Sequence, residues 1–310
     1  MNLKATGKRI ITLACLALSL YYIGRVVMEN WQAIGSTMST VNAPWLILGL
    51  TAATGTLAFQ SFIWHRLLKH FNATISFRDT YATYFQSLIT RYIPGGIWNF
   101  ISRAYLTSRL GFAKTQVLFL TIAESILTVV SGSALFLIIR PTTTASLQLT
   151  LLSIILILAS VVALAMPNIW TSIYRTFFKK EIAITKIPWR VAGYLSGYFI
   201  ILWLANGLAL LCLIRSIGGS LPSAHFLPLI AYYAMSWIIG FIILVVPSGL
   251  GVRETLFITL AGALVGAPIA IISAVLFRLV LVAAELINFF LSALIRNKIQ
   301  PHDHDSPRPH

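Results

Sequence analysis

Charge is what this sequence has least of: only 10% of its 310 residues are Asp, Glu, Lys or Arg, and just 8 of those are acidic. A soluble globular domain carries about a quarter of its residues as charged side chains. With 58% of the chain hydrophobic, a water-soluble fold would have to expose too much apolar surface, so part of the solvent is lipid. Disorder is excluded on the same ground, because a chain this apolar buries enough surface to offset its ordering entropy. The formal net charge of +15 does not make a soluble nucleic-acid binder. The basic residues fall between apolar runs and do not gather on one polar module, so no nucleic-acid partner is expected.

Cysteine is nearly absent. Cys15 and Cys212 both sit in apolar runs, where the thiol acts as a small apolar group; neither a disulfide nor a thiolate metal site is expected. The motifs of common enzymes are missing too. There is no Gly-x-Ser-x-Gly elbow, no His-Glu-x-x-His, no Walker loop and no Gly-x-Gly-x-x-Gly fingerprint, so the sequence predicts neither an enzyme nor a bound cofactor. Transport without a nucleotide site would run downhill, use an ion gradient or depend on a partner.

What is present is a series of long apolar windows. A hydrocarbon core of ~30 Å takes ~20 residues of helix, and six windows meet that length: 8–28, 44–64, 115–139, 147–166, 191–214 and 269–295. The first resembles a secretory signal, with Lys4, Lys8 and Arg9 before it, but it continues past Gly24 without a small-residue cleavage site and is expected to be retained. Two further windows are interrupted. Residues 80–110 are broken at Pro94-Gly95-Gly96, and residues 224–266 at Pro247-Ser248-Gly249-Leu250-Gly251.

Lysine and arginine near span ends stay on the cytoplasmic side. Lys4, Lys8 and Arg9 place the N-terminus there. Arg66, Lys69 and Arg78 before the first broken window, with Arg103, Arg109 and Lys114 after it, place both its flanks there as well, which makes a re-entrant hairpin. The loop with Arg175, Lys179, Lys180, Lys186 and Arg190 and the tail with Arg296 and Lys298 are also expected inside, so the second broken window enters and leaves from the outer face. The expected fold class is an all-α polytopic membrane protein of six spans and two re-entrant hairpins. It forms one transmembrane domain over 1–300 with inverted repeats, about 8–139 and 147–295, and a flexible cytoplasmic tail at 301–310. Inverted repeats with broken helices meeting near the midplane are a transporter plan. Eight crossings is the competing count, because 224–246 is long enough to span alone.

Charges inside lipid are costly and mark candidate sites. They are Arg91, Arg103 and Glu124 in the first half, and Arg253, Glu254, Arg278 and Glu285 in the second. Arg278 and Glu285 are seven residues apart and share a helix face. Proline ends an incoming helix, and glycine permits a tight turn that exposes amides, so Pro94, Gly95, Gly96, Pro247, Gly249 and Gly251 are candidates alongside the arginines. Helix N-termini beside such turns suit anions, and the guanidinium fork suits phosphate oxygens. Glu124 and Glu285 are expected to pair with arginines, carry protons or meet a cationic headgroup. Trp31, Trp45, Trp64, Trp170 and Trp189 lie near predicted span ends, where tryptophan anchors to the interface.

The stretches Arg91-Tyr92-Ile93-Pro94-Gly95-Gly96-Ile97-Trp98, followed by Arg103, and Pro247-Ser248-Gly249-Leu250-Gly251-Val252-Arg253-Glu254 resemble the two signature stretches of the flippase-like integral membrane family. That family is named for the transmembrane region of lysylphosphatidylglycerol synthase, the multiple peptide resistance factor. In the synthase this region moves an aminoacylated phospholipid across the bilayer, and relatives are linked to other polar or isoprenoid lipids. The resemblance implies a lipid flippase of the cytoplasmic membrane whose headgroup path is lined by Arg91, Arg103, Arg253 and Glu254. Ser248 stands where the family commonly has glycine. With no aminoacyl-transferase domain after Gln300, the resemblance supplies no synthase activity and no lysyl lipid. The expected partners are membrane lipids with a phospholipid or isoprenoid-linked headgroup; a homo-oligomer or a membrane enzyme partner is left open. A carrier of a small water-soluble anion and a lipid-presenting subunit of a membrane glycosyltransferase are the alternative functions.

Overall fold

The computed structural model describes residues 28, 31, 41–71, 74–92, 97–139, 146–166, 171, 172, 175, 187–243, 249 and 251–296. The first predicted span apart from Met28, the Pro94-Gly95-Gly96 turn, Pro247, Ser248 and the tail from 301 lie outside them.

The described residues form nine α-helices and no strand. In chain order they are α1 Ala43–Phe71, α2 Phe77–Leu88, α3 Trp98–Ser108, α4 Lys114–Ile139, α5 Ser146–Ala165, α6 Trp189–Ser216, α7 Phe226–Ile242, α8 Val252–Val265 and α9 Ala267–Arg296. Short 3-10 turns follow α2 at Ile89–Tyr92 and precede α7 at Ser223–His225. The protein is a multi-pass membrane protein, as its composition requires.

Among the described residues, six helical stretches are long and apolar enough to cross a membrane: Ala43–Phe71, Lys114–Ile139, Leu147–Ala165, Trp189–Ser216, Ser223–Ile242 and Ala267–Ile295. Five coincide with predicted spans, and Ser223–Ile242 differs from the expectation of a purely re-entrant second hairpin. Pro228 does not interrupt it because it sits in the first turn, where the missing N–H has no partner to lose. The break comes after Ile242. The return arm α8 has 14 residues, about 21 Å at 1.5 Å per residue, which is short of the bilayer. The first hairpin has two short arms. At 12 and 11 residues, α2 and α3 reach about 18 and 16 Å, and neither crosses alone.

Local signals explain where the arms begin. Ser76 caps α2, its Oγ accepting the Asp79 N–H at 3.1 Å and donating to Oδ2 of Asp79 at 2.7 Å, which satisfies one of the orphan donors of the first turn. At the start of α8, Gly251 adopts φ +82°, a left-handed conformation that favours glycine. The Glu254 carboxylate accepts the Gly251 N–H at 2.7 Å.

Helix pairing follows a regular scheme. α1 lies against α6, and each remaining contact of the first set recurs in the second: α1 with α2 as α6 with α7, α2 with α3 as α7 with α8, and α3 with α4 as α8 with α9. The cross-pairs match as well, with α2 on α9 as α7 on α4, and α1 on α9 as α6 on α4. The α1–α6 seam is antiparallel. The Asn42 N–H donates to the Ser216 carbonyl at 2.8 Å at one end, while Phe59 meets Tyr198 and Arg66 lies 5.9 Å from the Tyr194 ring toward the other. Gly49 admits this approach, since a Cβ there would stand 2.6 Å from Leu213 Cδ2; small residues serve the same purpose in other membrane helix pairs.

Several buried hydroxyls are satisfied within their own helices. Ser61, Ser153 and Ser236 each donate to a carbonyl three or four residues back, so they add small interface volume without an unmet donor. α5 sits differently: Leu147, Leu151, Ile155 and Leu158 are exposed, and it rests on α4 alone among the main pairings. Its outer face is the kind of apolar surface that lipid covers.

Candidate functional site

The helix pairing brings the ends of both hairpins to one cavity of about 170 Å³. α1 contributes Thr56 and Gln60, α2 and its 3-10 turn Tyr84 and Arg91, α3 Asn99 and Arg103, and α4 Thr121, Glu124, Ser125 and Thr128. The second set contributes Trp203 and Asn206 from α6, Tyr233, Trp237 and Gly240 from α7, then Gly249, Arg253 from α8 and Glu285 from α9. A smaller cavity of about 40 Å³ adjoins it through Tyr233, Trp237 and Arg253 and reaches Glu254 and Arg278.

The first-half arginines are paired. Arg103 is 3% exposed; its guanidinium bonds the Glu124 carboxylate and lies over the rings of Tyr84 at 4.1 Å and Trp64 at 5.1 Å. Arg91 makes an ion pair with Glu285 across the two sets of helices, and the Tyr92 hydroxyl donates to the other oxygen of Glu285 at 2.8 Å. Trp64 is fully buried. This corrects its expected place as an interfacial anchor: α1 continues to Phe71, so Trp64 lies well inside the helix, under Arg103. Trp31 and Trp189 are exposed.

The second-half arginines have no such partner. Among the described residues no carboxylate forms an ion pair with Arg253 or Arg278; Nε of Arg253 and Nη2 of Arg278 are buried without a hydrogen bond, as is Nε of both Arg91 and Arg103, so it is the missing ion pair that separates the two halves. Arg253 instead lies 4.7 Å from the Trp237 ring, a cation–π contact. Its stem crosses α7 at Gly240, where a Cβ would stand 2.2 Å from Arg253 Cγ, and a Cβ on Gly249, itself at φ +65°, would meet the Gly240 carbonyl oxygen at 2.6 Å. Two glycines therefore form the notch through which this side chain reaches the cavity.

The predicted site residues divide as follows. Arg91, Arg103, Glu124, Gly249, Arg253 and Glu285 meet at the larger cavity. Glu254 and Arg278 line only the smaller one, with Glu254 also capping α8; Gly251 supplies that cap. Arg278 and Glu285 are both buried, as their shared helix face required, yet they serve different neighbours. Pro94, Gly95, Gly96 and Pro247 lie outside the described residues. Among the described residues no group of His, Cys, Asp or Glu could hold a metal.

Reading charges and helix breaks missed the neutral polar lining. Gln60, Asn99 and Asn206 are amides within or beside apolar windows, a signal available without a structure, since an amide at membrane depth needs a partner. Gly240 had no local signal. Two acceptors at the cavity wall lack donors: Asn99 Oδ1 and Glu124 Oε1 are buried and unbonded. The site thus offers guanidinium donors and carboxylate or amide acceptors within one small volume.

A family model described as lysylphosphatidylglycerol synthase TM region matches residues 9–287. Pairwise comparison with curated proteins returns no match.

Proposed function

This chain belongs to the lysylphosphatidylglycerol synthase TM-region family, and from that premise we propose that it is a translocase for a polar or anionic lipid. Membership ties it to membrane lipid function; the cavity supports the rest of the reading. The observation that carries it is Arg253, a half-buried arginine whose Nε is buried without a hydrogen bond and which has no carboxylate partner among the described residues, held at the wall of a cavity that both hairpins help to line. An uncompensated cation partly withdrawn from water is unfavourable, and an arriving phosphate would offset that cost. Arginine presents the planar fork that phosphate oxygens accept. The acyl or isoprenoid tails would stay in the bilayer while the headgroup passes between the hairpins.

In this reading the two matched sets of helices are inverted repeats, about 8–139 and 147–295, because their equivalent helices α1 and α6 run antiparallel. Rocking of one repeat against the other supplies alternating access. The chain sits in the cytoplasmic membrane with both termini inside, carries no catalytic role, and meets lipids as its partners. The test is reconstitution into liposomes with fluorescent phospholipids, following loss of outer-leaflet label to a membrane-impermeant quencher. Protein-dependent flipping that fails in Arg253→Ala, with the variant still folded, is the expected result. Normal flipping by that variant would sink the assignment of Arg253; no flipping of any lipid by the wild-type chain would sink the translocase.

A further inference from the structure

We infer that the site selects a lipid phosphodiester whose headgroup is otherwise neutral and rich in hydroxyls, and disfavours zwitterionic and aminoacylated headgroups. The inference deepens the reading above and rests on it for the location of the headgroup.

Charge is the first ground. Three guanidinium groups, Arg91, Arg103 and Arg253, face two carboxylates, Glu124 and Glu285, around the larger cavity, which leaves one positive charge in excess. Including Arg278 and Glu254 from the adjoining cavity does not change that excess. A phosphodiester carries one negative charge and brings the site to neutrality. A headgroup that adds an ammonium leaves one positive charge uncompensated, and a lysyl ester leaves two. Uncompensated charge at membrane depth is costly, so the charge count favours the plain phosphodiester.

Hydrogen bonding is the second ground. A phosphate accepts but does not donate, so it would satisfy Arg253 Nε and leave Asn99 Oδ1 and Glu124 Oε1 as they stand, buried without donors. Leaving such acceptors unmet is unfavourable. Hydroxyls donate without adding charge, and only a headgroup with donors meets both. Size is the third ground: a cavity of ~150 Å³ takes one benzene-sized ring, and about 170 Å³ here fits a headgroup of that scale, such as a glycerol or a single cyclic polyol.

The test is lipid retention by the detergent-solubilised full chain, read by native mass spectrometry with phosphatidylglycerol, phosphatidylinositol, phosphatidylethanolamine and lysine-esterified phosphatidylglycerol in competition. Phosphatidylglycerol or phosphatidylinositol should be retained about tenfold more tightly than the other two, a factor equal to ~1.4 kcal/mol; which of the two leads separates an open glycerol from a ring polyol. Asn99→Asp is nearly isosteric and adds the missing negative charge, so it should shift preference toward phosphatidylethanolamine. Equal or tighter retention of phosphatidylethanolamine or the lysyl ester by the wild-type chain would overturn the inference, as would a folded Asn99→Asp variant with an unchanged order. This binding order found in a protein that flips nothing would remove the translocase and leave the selectivity standing.

Discussion

The two halves of the cavity use the same side chain for different ends. In the first half Arg103 is closed off by Glu124, Tyr84 and Trp64, and Arg91 is tied to Glu285. In the second, Arg253 rests on Trp237 and forms no ion pair among the described residues. A paired buried arginine contributes to the fold chiefly because removing it strands its carboxylate, whereas an unpaired one is a standing cost that the fold bears for another reason. Equal chemistry in sequence therefore separates into a structural arginine and a binding arginine only when partners are known.

Four substitutions sharpen or break that contrast. Arg103→Met leaves Glu124 buried without its cation and should destabilise the protein by about 3–5 kcal/mol, seen as a lower unfolding midpoint in detergent. A companion Glu124→Leu change should recover most of that loss. If Arg103→Met alone costs under about 1 kcal/mol, the pair is not structural. Gly240→Ala places a methyl into the Arg253 stem and should cost about 1–3 kcal/mol, as overpacking does. In a double-mutant cycle the cost should largely vanish in the Arg253→Ala background; a cost that persists there would mean the glycine serves the helix and not the notch.

Ser76→Ala removes the cap of α2 and should cost about 1 kcal/mol. Because that helix carries Arg91 toward the cavity, loss of lipid retention beyond the stability change would tie cap to site. The smallest loss of stability belongs to Arg253→Gln, which removes a cation without an ion-pair partner and should leave stability at or above wild type, while retention of anionic lipid falls steeply. A drop in stability comparable to that of Arg103→Met would erase the distinction between the two halves.

Much of this was legible in the sequence. Five of the membrane-spanning windows, the two interruptions and the inward placement of Arg278 and Glu285 follow from apolar length, Pro-Gly chemistry and helical spacing. The convergence of Arg91, Arg103 and Arg253 could be anticipated from the duplicated arrangement. Their partners could not, because Arg91 and Glu285 are 194 residues apart and no local pattern joins them. Ser223–Ile242 was visible only as the competing count, since 224–246 is long enough to span alone, because the positive charges on the flanking segments favoured a hairpin that enters and leaves by one face. Trp64 looked interfacial because its helix was expected to end there. Gly240 stayed invisible because its role depends on the backbone of one helix meeting the stem of a side chain from another.

The antiparallel seam between α1 and α6 bears on direction as well as architecture. If the two repeats exchange their conformations, the cavity opening toward one leaflet becomes an opening toward the other, so two inverted copies start from nearly equal energies for the two states. Whatever bias exists must come from residues that the copies do not share. The ion-paired arginines on one side and Arg253 and Arg278, without an ion pair among the described residues, on the other form such an asymmetry, and a headgroup that neutralised Arg253 would act on it at each passage. If the proposed translocase works this way, it would run in both directions by default, with its net flux set by lipid concentrations in the two leaflets.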